Sequence, residues 1–313
     1  MFTVDDLVEQ VRDQLQESNT KTVSDSVILA ALNRGNSYAW DIYVRHYPDP
    51  LMVRKADIAV DADGTFQIPE DAFEQRLQKV ELSQGGIVYE MERMNYRRTT
   101  PYRNNVIGTR PIYYSIRGRT VELLPKPGQA GFTYAIYYVR RPDQLRLCQG
   151  HISSFTAATD TADSTIVVDS VGNQLDTSSA YGKFVNFVDN KTGEVIGSAE
   201  IKSIDGQQIT FRKTPTRSTV LGRTISGDIP ADLEPDHYIT DIKGSCVVFL
   251  QQPTTNFLIQ YAVTEIRRSL GYDMGAEVNA LREFEKQVEH TWAGREASIR
   301  VKNSNKFWRH WRR

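Results

Sequence analysis

The sequence is poor in the residues that build disulfide frameworks and metal centres. Its 313 residues include only two cysteines, Cys148 and Cys246, and five scattered histidines. None of them belongs to a recognisable metal-binding motif. We therefore expect no metal and no cofactor, and we interpret both cysteines as buried or incidental thiols in a reducing compartment.

Long hydrophobic runs are also missing. No apolar stretch approaches the roughly 18 residues that would indicate a membrane span. The first ten residues, MFTVDDLVEQ, are acidic where a secretory signal peptide would be basic. We therefore expect no membrane partner and no export by the signal-peptide route.

Local signatures of catalysis are absent as well. The sequence contains no GxSxG nucleophile elbow, no phosphate-binding P-loop and no GxGxxG dinucleotide fingerprint. Active sites that are assembled from distant residues leave no such signature. These absences therefore favour, without requiring, a protein that is not an enzyme.

Composition and charge indicate a soluble globular protein with one unusual segment. Hydrophobic residues make up 40% of the chain and charged residues 25%, which suits two or three domains with sizeable cores. The net charge is -1, yet residues 295–313 carry seven lysines and arginines against one glutamate. A basic segment on a mildly acidic body indicates a separate interaction role for that segment.

Helical periodicity marks the first part of the chain. Apolar residues recur at helical spacing between Val4 and Leu15 and predict a first helix, with Thr3 and Asp6 as its capping box. Ser24 can cap a second helix with its own apolar face. We expect residues 1–50 to form an N-terminal helical hairpin.

The middle of the chain alternates with a period of two, which is typical of strands. We predict an antiparallel β region over residues 51–148 and an inserted β-domain over residues 152–229, where Asp205 and Gly206 mark a hairpin. Helical spacing returns after Pro235, with apolar residues from Ile239 to Leu250 on one face, so we expect helices over residues 230–294 that pack on the N-terminal hairpin. The expected fold class is α+β: a helical bundle built from N- and C-terminal helices, the antiparallel β region and small β-domain between them, and an extended C-terminal tail.

Arginine and tyrosine are interleaved in the stretch ERMNYRRTTPYRNNVIGTR, which has too little apolar periodicity for a packed element. A solvated loop fits this pattern as well as a binding loop does. The binding interpretation follows from the enrichment of Arg and Tyr among interface anchors. Its candidate interface residues are Arg93, Tyr96, Arg97, Arg98, Tyr102 and Arg103.

The segment KFWRHWRR combines tryptophan with arginine where small polar residues are usual. Spacings of three and four residues would give one helical turn an aromatic face with arginines around it. We expect residues 295–313 to be a basic aromatic docking tail that binds another protein, since Trp and Arg dominate interface energetics. Contact with nucleic acid or a membrane, and no role at all, are the alternatives. The candidate docking residues are Lys306, Phe307, Trp308, Arg309, Trp311, Arg312 and Arg313.

Four segments resemble a known family in their pattern of residue types. They are DSVILAALNRGNSYAW, TFQIPEDAFEQRLQKVEL, RPIYYSIRGRTVELLPKPGQAGFTYAIYYVRRPDQL and DIPADLEPDHYITDIKGSCVVFLQQ. The sequence is similar to the head-to-tail adaptor (connector) proteins of tailed bacteriophages, including the tubular gatekeeper-type adaptors of short-tailed phages. The resemblance spans about residues 23–284, and the inserted β-domain matches least.

The resemblance implies a structural virion protein of the head-tail junction, made in the host bacterial cytoplasm. It implies a homo-oligomeric ring, a dodecamer, that lies under the portal protein ring, docks there by its C-terminal tail and extends the DNA channel. A downstream tail or nozzle protein would be a further partner, and packaged DNA would pass through the lumen without sequence-specific binding. Two other functions stay open: a nucleic-acid-binding accessory protein that acts through the basic tail, and a glycan-binding or glycan-degrading tail component.

Overall fold

The computed structural model describes residues 2–15, 23–46, 51–99, 102, 110–128, 132–158, 163–221, 223–248, 254–271, 278–279, 281–283 and 285–287. The chain divides into two compact units. The sheet unit comprises Tyr47–Pro142, and the barrel unit comprises Met1–His46 together with Asp143–Arg313. None of the helices within the described ranges is both long enough and apolar enough to cross a membrane.

The sheet unit is built on a seven-stranded sheet. Its strands are β1 (Met52–Lys55), β2 (Thr65–Gln67), β3 (Ala72–Gln84), β4 (Ile87–Arg93), β5 (Tyr113–Arg117), β6 (Thr120–Leu124) and β7 (Thr133–Arg140). The order across the sheet is β1-β7-β3-β4-β5-β6-β2, with β4 and β5 parallel and the other neighbours antiparallel. The β3–β4 hairpin turns through Gly85 and Gly86, whose φ angles of 57° and 82° are readily adopted only by glycine.

Alternating side chains of these strands form the core of the sheet unit. The buried residues are Phe66, Ile68, Ala72, Leu77, Val80, Leu82, Met91, Tyr114, Val121, Leu123, Tyr134, Ile136 and Tyr138. Burial raises the pKa of the Tyr134 hydroxyl to about 12. Burial also raises the pKa of Tyr138, whose hydroxyl donates a hydrogen bond of 2.9 Å to Asp71. This core fixes the strands from which the connection between β4 and β5 emerges.

The barrel unit contains the remaining described strands. They are β8 (Gln144–Leu145), β9 (Gly150–Thr156), β10 (Thr165–Val168), β11 (Phe184–Val188), β12 (Val195–Asp205), β13 (Gln208–Phe211), β14 (Thr219–Val220), β15 (Arg223–Thr224), β16 (Tyr238–Asp241) and β17 (Gly244–Ser245). Six of them close into a barrel in the order β10-β13-β12-β11-β16-β9. The rings of Phe187 and Phe211 meet edge to face in its core, with centroids 5.4 Å apart. The predicted hairpin at Asp205 and Gly206 is confirmed, because Asp205 pairs with Gln208.

The barrel unit also carries helices α1 (Val4–Leu15), α2 (Asp25–His46) and α3 (Thr254–Ser269). The predicted first helix is confirmed with its capping box, in which Thr3 N donates to Asp6 Oδ2 at 2.8 Å and Asp6 N donates to Thr3 Oγ1 at 3.2 Å. Helix α2 is tied to β8 by the Asn33 side chain, which accepts from the backbone N of Leu145 and donates to its carbonyl. Helix α2 therefore attaches to a strand of the same unit, whereas α3 packs against α1 and α2, with the ring centroids of Tyr38 and Phe257 6.0 Å apart.

The predicted α+β fold on a helical bundle of N- and C-terminal helices is wrong. Of the described residues, 37% lie in strands and 25% in helices, and the dominant elements are the closed barrel and the seven-stranded sheet. The helix predicted after Pro235 is instead β16, a turn and β17, with Ile239 and Ile242 buried. A short apolar run between turns fits a helix face and a buried strand equally well. Here it forms a strand because β16 pairs with β11 and β9 and so closes the barrel. The predicted domain boundaries stay predictions.

Candidate partner-binding surface

The parallel pair β4 and β5 creates the connection that carries most of the arginine- and tyrosine-rich stretch. In this pair Glu92 lies opposite Tyr113, and Arg93 lies opposite Tyr114. Parallel neighbours cannot be joined by a tight turn, so the chain crosses from the end of β4 back to the start of β5. This crossover covers residues 94–112, of which the structure describes 94–99, 102 and 110–112.

The first part of the crossover is held in place by local hydrogen bonds. Met94 N donates to the Tyr114 carbonyl at 2.8 Å, which continues the pairing beyond β4. Asn95 Oδ1 accepts from Arg97 N at 3.0 Å and caps the 3-10 helix Tyr96–Arg98. Thr99 is buried, and its hydroxyl donates to the Tyr96 carbonyl at 2.8 Å. The backbone is therefore fixed before any partner binds, which lowers the entropy that binding would cost.

Arginines and tyrosines line β4, the crossover and β5, and we call them together the Arg–Tyr surface. It comprises Tyr89, Arg93, Tyr96, Arg97, Tyr102, Arg110, Tyr113 and Arg117. The strand register puts Arg93 on the same face of the sheet as Tyr114, and puts Tyr113 and Arg117 on the other face. Arg110 Cζ lies 3.7 Å from the centroid of the Tyr89 ring. Arg117 Cζ lies 5.4 Å from the centroid of the Tyr96 ring. These cation–π contacts orient the guanidinium groups and leave their N–H edges able to bind an anion.

The arginines of the Arg–Tyr surface have no acidic partner in the part of the chain that the structure describes. Among the described residues, no carboxylate lies within ion-pair distance of any of the four guanidinium groups. By contrast, Arg119 in the next turn lies 3.8 Å from Glu70. Arg93, Arg97 and Arg117 are exposed to solvent. Their charge is therefore available to a partner.

Apolar side chains accompany this charge. The Tyr102 ring meets the Tyr113 ring edge on, with centroids 5.3 Å apart, and Tyr102 is 37% exposed. Ile112 at the end of the crossover is 49% exposed. Ile87 and Val88, which precede Tyr89 on β4, are 58% and 56% exposed. Arginine, tyrosine and exposed aliphatic groups together are typical of a protein interface.

Comparison with known families adds an independent observation. The model of the SU10 adaptor protein family matches residues 2–171, which is more than half of the chain. The chain belongs to this adaptor family. No curated protein matches it.

Family membership confirms the resemblance at the level of a phage adaptor protein. The adaptor has a structural role in a phage, associates with other head or tail proteins, and belongs to the virion. The matched residues include the whole sheet unit with the Arg–Tyr surface, as well as α1 and α2. Most barrel strands and residues 295–313 lie beyond the match.

The structure describes part of the predicted binding loop of the adaptor. Arg93 ends β4, Tyr96 and Arg97 lie in the 3-10 helix, and Tyr102 contacts Tyr113. Arg103, the side chain of Arg98 and the whole predicted docking tail, including residues 306–313, lie outside the described residues. These site assignments stay predictions.

Sequence reasoning missed Tyr89, Tyr113 and Arg117, which lie in the strands on either side of the crossover. They join the surface because β4 and β5 are parallel neighbours, and the local sequence does not specify that pairing. A tyrosine or arginine near the end of an alternating strand was the one available signal.

The Arg–Tyr surface is suited to binding rather than to bond-making. Its side chains can hold carboxylates or phosphates and can pack against apolar or aromatic groups. Among the described residues, no group of three or more His, Cys, Asp or Glu side chains could hold a metal ion. Cys148 and Cys246 are free thiols, and Cys246 is buried. The expectations that the adaptor is no enzyme and needs no cofactor stay predictions.

Proposed function

We propose that the adaptor forms a ring beneath the portal, connects the capsid to the tail and extends the DNA channel. The observation that supports this proposal is the Arg–Tyr surface, a set of arginines and tyrosines with a locally hydrogen-bonded backbone, within the residues that match the adaptor family. A ring of identical copies needs a heterologous contact on every copy, in addition to the surfaces that meet the portal and a downstream tail or nozzle protein. A family member with such a surface fits this role.

Docking to the portal is assigned to residues 306–313 in this proposal. Trp308 and Trp311 would be buried anchors, and the neighbouring arginines would pair with acidic groups around the portal pockets. Each copy of the ring would present one such segment. Many weak contacts with one portal ring then add up to strong attachment.

Packaged DNA would pass through the ring without sequence-specific contacts. Residues 295–313 contribute +6 to a total charge of -1, so the remaining residues carry -7. A mildly acidic body does not attract the phosphate backbone over its whole surface. DNA can then slide through the lumen.

The proposed function is tested by mixing portal rings with the full-length adaptor or with a chain that lacks residues 306–313. We expect sedimentation and particle imaging to show symmetric adaptor rings on the portal only for the full-length chain, with unchanged circular dichroism. A variant with Trp308→Ala and Trp311→Ala keeps every charge of the segment, and we expect it to lose attachment as the deletion does. Normal rings from the deleted chain would contradict tail docking. No association of the full-length chain would contradict the proposed function.

Binding of nucleic acid is the second candidate function. Arginines stacked on tyrosines can also meet phosphates and bases. This function predicts DNA binding that weakens steeply with salt and disappears on deletion of residues 306–313. The negative charge on the rest of the chain disfavours it. The glycan-degrading alternative gains no support from the described residues.

A further inference from the structure

We propose that the Arg–Tyr surface of one adaptor copy binds the acidic face of helix α1 on the neighbouring copy in the ring. The acidic face consists of Asp6, Glu9 and Asp13, with Phe2 beside it. The contact rests on the proposed ring, because it joins two copies of this chain. It specifies which two surfaces form the heterologous interface that a closed ring requires.

The acidic face is exposed and is only partly used within its own chain. Asp6, Glu9 and Asp13 are exposed and recur at positions i, i+3 and i+7, so they lie along one side of α1. Asp6 caps the helix, whereas Glu9 and Asp13 form no ion pair with any described cation. Arg12, the one cation of α1, lies 2.5 Å from Asp25 and does not neutralise them.

An open depression runs along this face of α1. Its volume is about 360 Å³, and Phe2, Asp6, Glu9, Gln10 and Asp13 line it. Carboxylates on its walls and an aromatic ring at one end offer a charged and an apolar contact in the same place. The side chain of an arginine or a tyrosine from another copy can enter such a depression.

The chemistry of the two surfaces is complementary. Guanidinium groups bind carboxylates through paired N–H···O bonds, and Arg93 and Arg97 are exposed and lack carboxylate partners among the described residues. Ile112, two residues before the Tyr114 that lies opposite Arg93, supplies exposed apolar area that can cover Phe2. The acidic face thus meets both a positive charge and an apolar side chain.

A second copy explains both surfaces better than nucleic acid does. A heterologous ring contact requires two different patches on one chain, and opposite charges favour one pairing over self-pairing of either patch. The phosphates of a nucleic acid would bind the arginines, but nucleic acid binding would not explain the exposed Ile112 or the acidic face of α1. An acidic surface on the neighbouring copy accounts for all three features.

The test reverses the charge of each surface separately and then of both together. One variant carries Arg93→Glu and Arg97→Glu, a second carries Glu9→Lys and Asp13→Lys, and a third carries all four changes. Each is mixed with portal rings, and the adaptor concentration that gives half-maximal complete rings is measured by particle imaging. We expect each two-residue reversal to raise that concentration at least about tenfold, and the four-residue variant to recover most of the loss.

A matched control carries Lys55→Glu and Lys126→Glu, which change the charge of the sheet unit by the same amount outside the Arg–Tyr surface. We expect the control to form rings like the unchanged chain. Thermal unfolding of every variant verifies that the fold is kept. Reversed variants should still sediment with the portal through residues 306–313, while their rings stay incomplete.

The outcomes separate this contact from the proposed function. If the unchanged chain forms no ring on the portal, the proposed function fails. If it forms rings and the reversed chains do so equally well, or if the four-residue variant shows no recovery, the contact is wrong while the function stands. If the Arg93→Glu and Arg97→Glu variant keeps its rings but loses salt-sensitive DNA binding, the Arg–Tyr surface binds nucleic acid instead. If the α1 reversal stops the full-length chain from sedimenting with the portal at all, the acidic face acts in portal docking and the proposed contact is wrong.

Discussion

In the barrel unit the carboxylate of Glu200 is buried among hydrogen-bond donors, whereas in the sheet unit four arginines lie around the crossover without a carboxylate partner among the described residues. Glu200 Oε1 lies 3.1 Å from Lys183 Nζ and 3.4 Å from Arg212 Nε. Thr216 adds hydrogen bonds from its backbone N to Oε2 and from its hydroxyl to Oε1. The barrel thus satisfies its buried charge internally.

The difference shows which charges serve the fold and which are available for a partner. A buried charge must be paired and hydrogen-bonded, because the loss of water around it is costly. An exposed arginine remains hydrated and does not need a charged partner within the protein, and its ion pairs add little to stability. Mutations should therefore divide cleanly: those at Glu200 should act on folding, and those in the Arg–Tyr surface should act on assembly.

The largest expected effect is that of Glu200→Ala. The substitution removes the buried carboxylate that accepts from both Thr216 and Lys183, so we expect the free energy of unfolding to fall by about 3 kcal/mol. Chemical denaturation followed by circular dichroism measures the change. A loss below about 0.5 kcal/mol would show that the pairing contributes nothing to the barrel.

A smaller effect is expected in how the stability difference between the unchanged chain and the Glu200→Ala variant depends on pH. Burial of Glu200 opposes its ionisation, but the hydrogen bonds from Thr216 and the charge of Lys183 outweigh burial and lower its pKa below 4.5. The folded state therefore binds this proton less tightly than the unfolded state does. The stabilisation is complete above pH 4.5 and is lost as the pH falls through the folded-state pKa.

We accordingly expect the difference in unfolding free energy between the unchanged chain and Glu200→Ala to narrow as the pH falls below 4.5. Denaturation curves at several pH values measure it. A gap that widens on acidification would reverse the sign and contradict a lowered pKa.

The smallest effect on folding is expected for Arg97→Ala. Its backbone N is capped by Asn95 whatever the side chain, and the exposed guanidinium pairs with no described carboxylate. We expect the free energy of unfolding to change by less than about 0.5 kcal/mol, while complete rings on the portal require a higher adaptor concentration. A clear loss of stability without any loss of assembly would remove the distinction between the two units.

The sequence predicted elements whose signals are local. The capping box at Thr3 and Asp6 and the hairpin at Asp205 and Gly206 are formed by neighbours in the chain, and both are confirmed. The helix predicted after Pro235 was wrong, although the apolar spacing there suits a helix. The segment forms strand β16 instead, because it pairs with β11 and β9, which are distant in sequence.

The same reason limited what the sequence revealed about the Arg–Tyr surface. Arg93, Tyr96, Arg97 and Tyr102 were recognised because they follow one another along the chain. Tyr89 and Arg117 were missed because they reach the surface through the parallel register of β4 and β5. The sequence does not specify the partner of the surface either, because binding depends on which side chains lie together in the folded protein.

Particle imaging of portal rings mixed with the full-length adaptor tests the central claim most directly. The account predicts a closed, symmetric adaptor ring on each portal ring, formed in an all-or-none manner as the adaptor concentration rises. Portal rings that remain bare at saturating adaptor, or that carry scattered single copies without symmetry, would contradict it.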